Sequence, residues 1–221
     1  MDRSLVEPKL QTGFRLFCAM LTILLVSMAS AAHAQNSLPY GDRGLRLAIV
    51  HEPESDSYFE LRRMIGSHVL GSTERGLQFW QAETLASRLE YEGRGGRLAV
   101  IDTLAKHALI REKIIPVLAA DSENPKVWNT NAWIGLRYWC KYHTLMWVTA
   151  ETMENDAPQP WDVPYFKFGD KCGANADYMG VFYNERGAWQ AVGYGKEWKH
   201  ILIEYPRLRN ENLAGREPEG G

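Results

Sequence analysis

The residues of this 221-residue chain that could carry out catalysis are few, and none of them forms a recognised motif. His143 and Glu151 are candidates for a general acid and base, and so is His51, which opens the stretch HEPE. A histidine beside a carboxylate can exchange a proton near neutral pH. No two histidines have a metal-ligand spacing such as H-x-x-x-H, and there is no G-x-S-x-G, phosphate loop or G-x-G-x-x-G. We therefore predict no metal and no cofactor, and a hydrolase acting through these side chains is the alternative hypothesis.

A second group of residues has the side-chain types of a binding surface. In IGLRYWCKYHTLMWVTAE, residues 134–151, alternate positions carry many basic, imidazole and indole groups. If the stretch is a strand, these side chains share one face. They are Arg137, Trp139, Lys141, His143 and Trp147. Flat rings flanked by cations and hydrogen-bond donors suit a partner protein or a glycan of the cell wall.

The secondary structure of residues 134–151 decides whether that face exists. A single strand of this length would exceed about 50 Å, so it must bend sharply or break inside one domain. A helix would instead place Arg137, Lys141, Thr144 and Glu151 on one polar stripe. The alternation and the many Tyr, Trp, Val and Thr residues favour the strand.

Cys140 and Cys172 are predicted to form a structural disulfide. Cys18, the third cysteine, lies in the N-terminal segment that we expect to be removed. An even count in an oxidising compartment indicates a bridge, which would stabilise the fold by about 3–4 kcal/mol. A redox-active pair is the alternative, but such pairs usually have the spacing C-x-x-C.

The N-terminus has the pattern of a signal peptide spanning residues 1–34. Basic residues precede an uncharged apolar run, residues 16–32, and the small-residue site AHA ends at Ala34. Cleavage between Ala34 and Gln35 predicts a periplasmic or secreted protein, and an uncleaved anchor is the alternative. We expect no stable membrane insertion after cleavage. The balance of 25 basic and 27 acidic residues gives no reason to expect a nucleic-acid partner.

Three segments of the remaining chain are predicted to be helical. Ser57 and Glu60 have the spacing of a capping box, which predicts a helix from Tyr58 to Leu70. A second helix is predicted within residues 73–91, with Ala82, Leu85, Ala86 and Leu89 on its apolar stripe. A third is predicted from Leu98 to Ile115, where Pro116 would kink or end it.

Strands are predicted mainly in the second half. Residues 176–195 have the pattern of a hairpin whose turn gives Gly187 a positive φ. Residues 45–51 and 199–205 are predicted as further strands. The eight tryptophans are expected mostly in the core.

The fold class that follows is α+β, with N-terminal helices packed on a Trp-rich, mostly antiparallel sheet formed largely by the C-terminal half. Residues 35–44 would be a polar leader, 45–206 a single globular domain and 207–221 a flexible polar tail. The predicted function is that of an exported, non-catalytic binding protein that recognises another envelope or secreted protein or a cell-wall glycan. No family resemblance is evident.

Overall fold

The computed structural model of the chain describes residues 44–64, 76–123, 130–154, 157–162, 172–173 and 176–207. All of these lie in one structural unit, residues 41–221. The predicted signal peptide with its cleavage site, the leader up to residue 43, and the tail from residue 208 lie outside the described residues, so these predictions stay predictions.

Most of the described chain belongs to one sheet. The strands are β1 (Leu45–Glu52), β2 (Ser57–Arg63), β3 (Glu90–Tyr91), β4 (Arg94–Gly95), β5 (Arg97–Leu98), β6 (Ala132–Trp139), β7 (Thr144–Trp147), β8 (Tyr178–Tyr183), β9 (Trp189–Gly193) and β10 (His200–Tyr205). Eight of them form a sheet in the order β1-β2-β10-β6-β8-β9, with β5 paired to β10 and β7 paired to β6. Every pair is antiparallel except β10 with β6. The strands β3 and β4 form a separate small hairpin.

Helices pack against this sheet and complete two apolar clusters. Helix α1 (Phe79–Ala86) contributes to one cluster with Trp133, Phe182 and Trp198. The helices α2 (Leu104–Leu109) and α3 (Ile115–Ser122), joined by a π-helical segment (Ile110–Ile114), contribute to the other. The predicted α+β class is therefore confirmed, and so is the mostly antiparallel, Trp-rich sheet.

The strands predicted at 45–51, in the hairpin of residues 176–195 and at 199–205 are present. Their ends differ from the predicted ends by at most two residues. Gly187 has the expected positive φ of 76°. Residues 134–151 are strands rather than a helix, and the long strand is broken by a turn at residues 140–143, as its length requires.

The helix predicted from Tyr58 is wrong over the residues that the structure describes, because Ser57–Arg63 is the strand β2. Its Glu60 side chain does not cap a helix. It is fully buried, accepts a hydrogen bond from the Tyr205 hydroxyl at 3.0 Å and pairs with Arg46 at 3.0 Å. Partners this distant in the sequence override a local capping signal. Residues 65–70 of the predicted helix lie outside the described part.

The third predicted helix begins six residues later than expected and continues past Pro116. Leu98 belongs to β5, and Thr103 caps the helix by accepting a hydrogen bond from the Lys106 amide at 3.2 Å. Proline lacks an amide hydrogen and crowds the preceding turn. The widened π-helical segment ends at Ile114, two residues before this proline, so the helix accommodates Pro116 and runs to Ser122.

The second predicted helix is shorter than expected but has the predicted buried stripe. Helix α1 covers Phe79–Ala86, and Ala82, Leu85, Ala86 and Leu89 are all at most 5% exposed. Residues 73–75 of the prediction lie outside the described part.

Candidate functional site

The hairpin of β6 and β7 divides the predicted binding residues between two faces of the sheet. Trp147 pairs with Leu136, whereas Arg137 pairs with Met146 and Trp139 with Thr144. Paired residues point to the same side, so Trp147 lies on the face opposite to Arg137 and Trp139. The turn at residues 140–143 accounts for the difference, because the two-residue period does not continue through a turn. The expected single face containing both indoles is therefore not formed.

Arg137 and Trp139 instead lie beside two tyrosines that the sequence did not indicate. Trp139 pairs with Tyr178 across β6 and β8, and their ring centroids are 5.5 Å apart with the planes tilted by 54°. The Tyr194 ring lies 5.7 Å from that of Tyr178, with a tilt of 41°. We call Trp139, Tyr178 and Tyr194 the aromatic strip. Trp139 and Tyr178 are half-buried and Tyr194 is 42% exposed, so the strip presents ring surface to solvent.

Arg137 contacts the middle ring of the aromatic strip, Tyr178. Its guanidinium carbon lies 5.2 Å from the Tyr178 ring centroid and 5.2 Å from that of Phe79 in α1. A planar cation against a ring face is attracted by the ring quadrupole. The guanidinium also pairs with Glu83 of α1. Tyr178 therefore contacts both the Arg137 guanidinium and the Trp139 ring. Burial raises the pKa of the Tyr178 hydroxyl, so the ring stays neutral.

Lys141 and His143 lie in the turn that follows Trp139, and their side chains contact residues outside the aromatic strip. The Lys141 ammonium lies 5.2 Å from the Tyr142 ring centroid, and Nδ1 of His143 is 2.9 Å from the Tyr138 hydroxyl. Both residues are exposed. The structure thus brings Arg137 and Trp139 together, and it separates Trp147 from them.

The predicted disulfide is confirmed and lies at the end of β6. Cys140 and Cys172 are bonded, with their Cα atoms 5.9 Å apart. The Cys140 amide donates to the Asp177 carbonyl at 3.0 Å, immediately before Tyr178. Cys140 therefore joins the turn both to the segment around Cys172 and to the start of β8, from which the aromatic strip is built.

The three acid–base candidates lie in separate local networks. Glu151 accepts a hydrogen bond from the Thr149 hydroxyl at 3.0 Å, and Nε2 of His51 is 2.9 Å from an Asp56 oxygen. The hydrogen bond from His51, followed by that from Arg94, holds the pKa of Asp56 below its usual value. Within the described residues no hydrogen bond joins any two of His51, His143 and Glu151.

The HEPE stretch around His51 organises a turn. The Glu52 carboxylate is buried and accepts hydrogen bonds from the backbone amides of Ser55 at 2.7 Å and Glu54 at 3.0 Å. Carboxylates that accept backbone amides in this way stabilise tight turns. Here the carboxylate holds the connection between β1 and β2.

A cavity of about 440 Å³ opens on the Trp147 face of the β6–β7 hairpin, between the start of α2 and the chain that follows β7. Its walls include one indole, two hydroxyls and three carboxylates: Trp147, Thr103, Thr152, Asp102, Glu151 and Glu154. We call it the acidic cavity. Glu151, a predicted acid–base candidate, lines it, whereas His143 and His51 do not.

Sequence patterns could have indicated parts of this arrangement. Because residues 176–195 are predicted as two strands, Tyr178 and Gly180 are expected to share a face. It does not predict that this strand pairs with β6, or that α1 brings Phe79 and Glu83 to Arg137. Those contacts join residues at least 39 positions apart.

No helix within the described ranges is long and apolar enough to cross a membrane.

No family model matches the chain, and no curated protein is significantly similar to it. Among solved structures, human lithostathine has 14% sequence identity, with 79% of this chain and 99% of lithostathine covered and a TM-score of 0.45. The cow C-type carbohydrate-recognition domain of CD23 has 12% identity, coverage of 77% and 97%, and a TM-score of 0.44. The C-type lectin CEL-I from Cucumaria echinata has 12% identity, coverage of 76% and 97%, and a TM-score of 0.44. Scores this low assign neither a fold family nor a function to this chain.

Proposed function

We propose that this chain is an exported, non-catalytic binding protein whose aromatic strip recognises another exported protein. The observation that carries the proposal is the row of rings Trp139, Tyr178 and Tyr194, whose middle ring, Tyr178, lies against the Arg137 guanidinium. Trp, Tyr and Arg are the residue types that dominate binding energy in protein interfaces. Rings that are already fixed by packing lose little side-chain entropy when a partner binds.

The tilt of the rings favours a protein over a glycan as the partner. Successive ring planes in the strip differ by 54° and 41°, so they do not make one flat platform. A chain of sugar rings stacks best on parallel aromatic faces, whereas the side chains of a protein can fill the recesses between tilted rings. A cell-wall glycan, which the composition also suits, is the alternative partner that the binding assays distinguish.

Two further observations support the proposal. The acid–base candidates sit in separate networks, which favours binding over a hydrolase. The disulfide between Cys140 and Cys172 is of the kind that persists in oxidising compartments, in keeping with the predicted signal peptide and with a periplasmic or secreted location.

The test is in-cell cross-linking of the exported protein followed by mass spectrometry. The test variant is Trp139→Ala/Tyr194→Ala. The matched control is Trp80→Ala, because Trp80 is an indole 45% exposed that makes no ring contact with the strip within the described residues. We expect one dominant cross-linked protein partner, whose capture falls at least tenfold in the double variant, as for the loss of interface hot spots, and is unchanged in the control.

A second assay measures binding of the same variants to purified cell-wall glycan. The proposal fails if no protein partner is captured, or if capture is the same in the double variant while its thermal unfolding matches the native protein. If the protein binds only the glycan, and this binding is lost in the double variant, the partner of the strip is a glycan and not a protein. An N-terminus other than Gln35 in the exported protein would contradict the predicted cleavage.

A further inference from the structure

We propose that the partner of the aromatic strip presents an acidic surface to it, namely a protein segment in which aspartate or glutamate side chains flank apolar ones. This inference rests on the proposed function and names the chemistry of the partner. The polar groups around the rings carry it, because within the described residues these groups are hydrogen-bond donors and cations, and every carboxylate near them is paired or points away.

Each ring of the strip has a polar group that a partner can use. Trp139 carries an indole N–H, and Tyr178 and Tyr194 carry hydroxyls. None of these three groups has a hydrogen-bond partner in the part of the chain that the structure describes. An indole N–H can only donate, and a neutral phenol hydroxyl can donate as well. Covering a donor without supplying an acceptor costs its desolvation, so a partner that covers the strip must bring acceptors.

Exposed lysines lie at both ends of the strip. Lys141 follows Trp139 by two residues, and Lys196 follows Tyr194 by two. The backbone amide of Lys196 closes the turn that contains Tyr194, and its ammonium lies 5.5 Å from the ring centroid of Trp198. Among the described residues, neither lysine forms an ion pair with a carboxylate. Each end of the strip therefore carries a cation that is not neutralised.

The carboxylates close to the middle of the strip do not offset these cations. Glu83 is already paired with the Arg137 guanidinium. Asp177 directly precedes Tyr178, and neighbouring residues of an extended chain point to opposite sides. The Asp177 carbonyl accepts the amide of Cys140, whose side chain packs against the apolar cluster on the opposite face of the sheet. The Asp177 carboxylate is therefore directed away from the rings.

The charge of this face differs from that of the whole chain, which has 27 acidic and 25 basic residues. Glu197, which follows Lys196, has an interaction partner and is not a free carboxylate. A face with unpaired cations attracts anionic partners and disfavours cationic ones. Carboxylates supply both the acceptors that the ring donors require and the charge that the lysines lack, so an acidic segment fits both features.

Fluorescence anisotropy of the purified protein with labelled peptides tests the charge of the partner. The probes are acetyl-Glu-Leu-Glu-Tyr-Glu-Leu-Glu-amide and two counterparts in which every Glu is replaced by Gln or by Lys. The test variant is Lys141→Gln/Lys196→Gln. The matched control is Lys113→Gln, because that exposed lysine pairs with Glu112 in the π-helical segment, which packs on the opposite face of the sheet.

We expect the acidic peptide to bind saturably, the Gln peptide to bind at least about fivefold more weakly, and the Lys peptide not to bind. The double lysine variant should weaken binding of the acidic peptide by about fivefold, as for exposed charge pairs, and the control should leave it unchanged. Raising the salt concentration from about 0.05 M to about 0.5 M should weaken binding to the native protein more than to the lysine variant, because salt screens exposed charges.

The inference is overturned if the acidic peptide does not saturate in the millimolar range, if the Gln peptide binds as tightly, or if the lysine variant and the control behave alike. The variant Trp139→Ala/Tyr194→Ala separates these failures from failure of the proposed function. If it loses both peptides while the lysine variant loses neither, the strip binds protein segments without preferring acidic ones, and only this inference fails. If it binds the acidic peptide as the native protein does, the rings are not the binding site, and the proposed function fails as well.

Discussion

At the scale of single residues, the missing side chain of Gly180 decides how α1 meets the sheet. A Cβ at this position would lie 2.5 Å from the Phe79 ring and 2.8 Å from the Trp133 ring. Both rings are fully buried, so neither can move aside. Gly180 pairs with Arg137 in the sheet, and the space above it is where Phe79 reaches the guanidinium.

Gly180→Ala is therefore expected to lower the free energy of unfolding by about 1–3 kcal/mol, the cost of overpacking a filled core. The control is Gly193→Ala, since no atom lies within 4 Å of a Cβ built there. Urea unfolding of both variants measures the difference. Equal effects of the two substitutions would mean that crowding by Phe79 and Trp133 is not what requires glycine.

The side on which a single residue points was only partly predictable. The alternation in residues 134–151 correctly indicates strands and places Arg137 and Trp139 together. It places Trp147 with them only if the alternation is continued through the turn. The register after a turn depends on its length, and four residues here intervene between β6 and β7. Residue types alone do not reveal how many residues the turn contains.

At the scale of elements, the disulfide fixes one end of the β6–β7 hairpin. The bond links residues 32 positions apart and lies next to the backbone contact between Cys140 and Asp177. Closing a loop of this length stabilises the folded state by about 3–4 kcal/mol in the chain-entropy model.

We expect Cys140→Ser/Cys172→Ser to lower the free energy of unfolding by about that amount. The variant should also unfold identically with and without reductant, whereas the native protein should lose stability only when it is reduced. Thermal and urea unfolding under both conditions check this. A native protein that is indifferent to complete reduction would show that the bridge contributes little to stability.

Elements marked by runs of strand-forming residues and by turn residues were predicted, and elements determined by distant partners were not. The hairpin of β8 and β9 has two such runs around a turn that contains Gly187, and the strand β10 is a short run that ends at Pro206. The strand β2 has the spacing of a capping box, yet Glu60 is held by Arg46 and Tyr205, which lie 14 and 145 residues away. The passage of α2 into α3 past Pro116 likewise needs a local π-helical turn that propensities do not indicate.

At the scale of the whole molecule, buried charges connect the layers of the domain. Glu204 of β10 is fully buried and pairs with Arg97 at 2.9 Å and with Lys106 at 3.0 Å. Burial alone would lower the pKa of Lys106, but the carboxylates of Glu204 and Asp102 outweigh it and raise that pKa above its usual value. The helix is thereby tied to the sheet at the edge of the acidic cavity, which explains how Asp102 is held in the cavity wall.

Two histidines at junctions between helix and sheet are expected to make the stability of the domain depend on pH. Nδ1 of His107 in α2 is 2.8 Å from the Tyr183 hydroxyl, and Nε2 of His200 in β10 is 2.8 Å from Asp121 of α3. Burial is the main cause that lowers the pKa of each imidazole. Arg111 acts in the same direction on His107, whereas the Asp121 carboxylate opposes the effect of burial on His200 without outweighing it. Both imidazoles are therefore more readily protonated in the unfolded chain than in the folded one.

A group whose folded-state pKa is lowered contributes stability above its unfolded pKa, here about 6.5, and that contribution is lost as the pH falls. We expect the free energy of unfolding to decrease between about pH 7.5 and about pH 5.5, as urea titrations at each pH would measure. The variant His107→Asn/His200→Gln keeps a polar nitrogen at each site without a titrating ring, so its stability should change less over the same interval. Asp56, whose pKa is lowered, loses its contribution only below about pH 4 and does not interfere. An equal decrease in the variant would place the pH dependence in other groups and would mean that the two helix–sheet junctions do not control it.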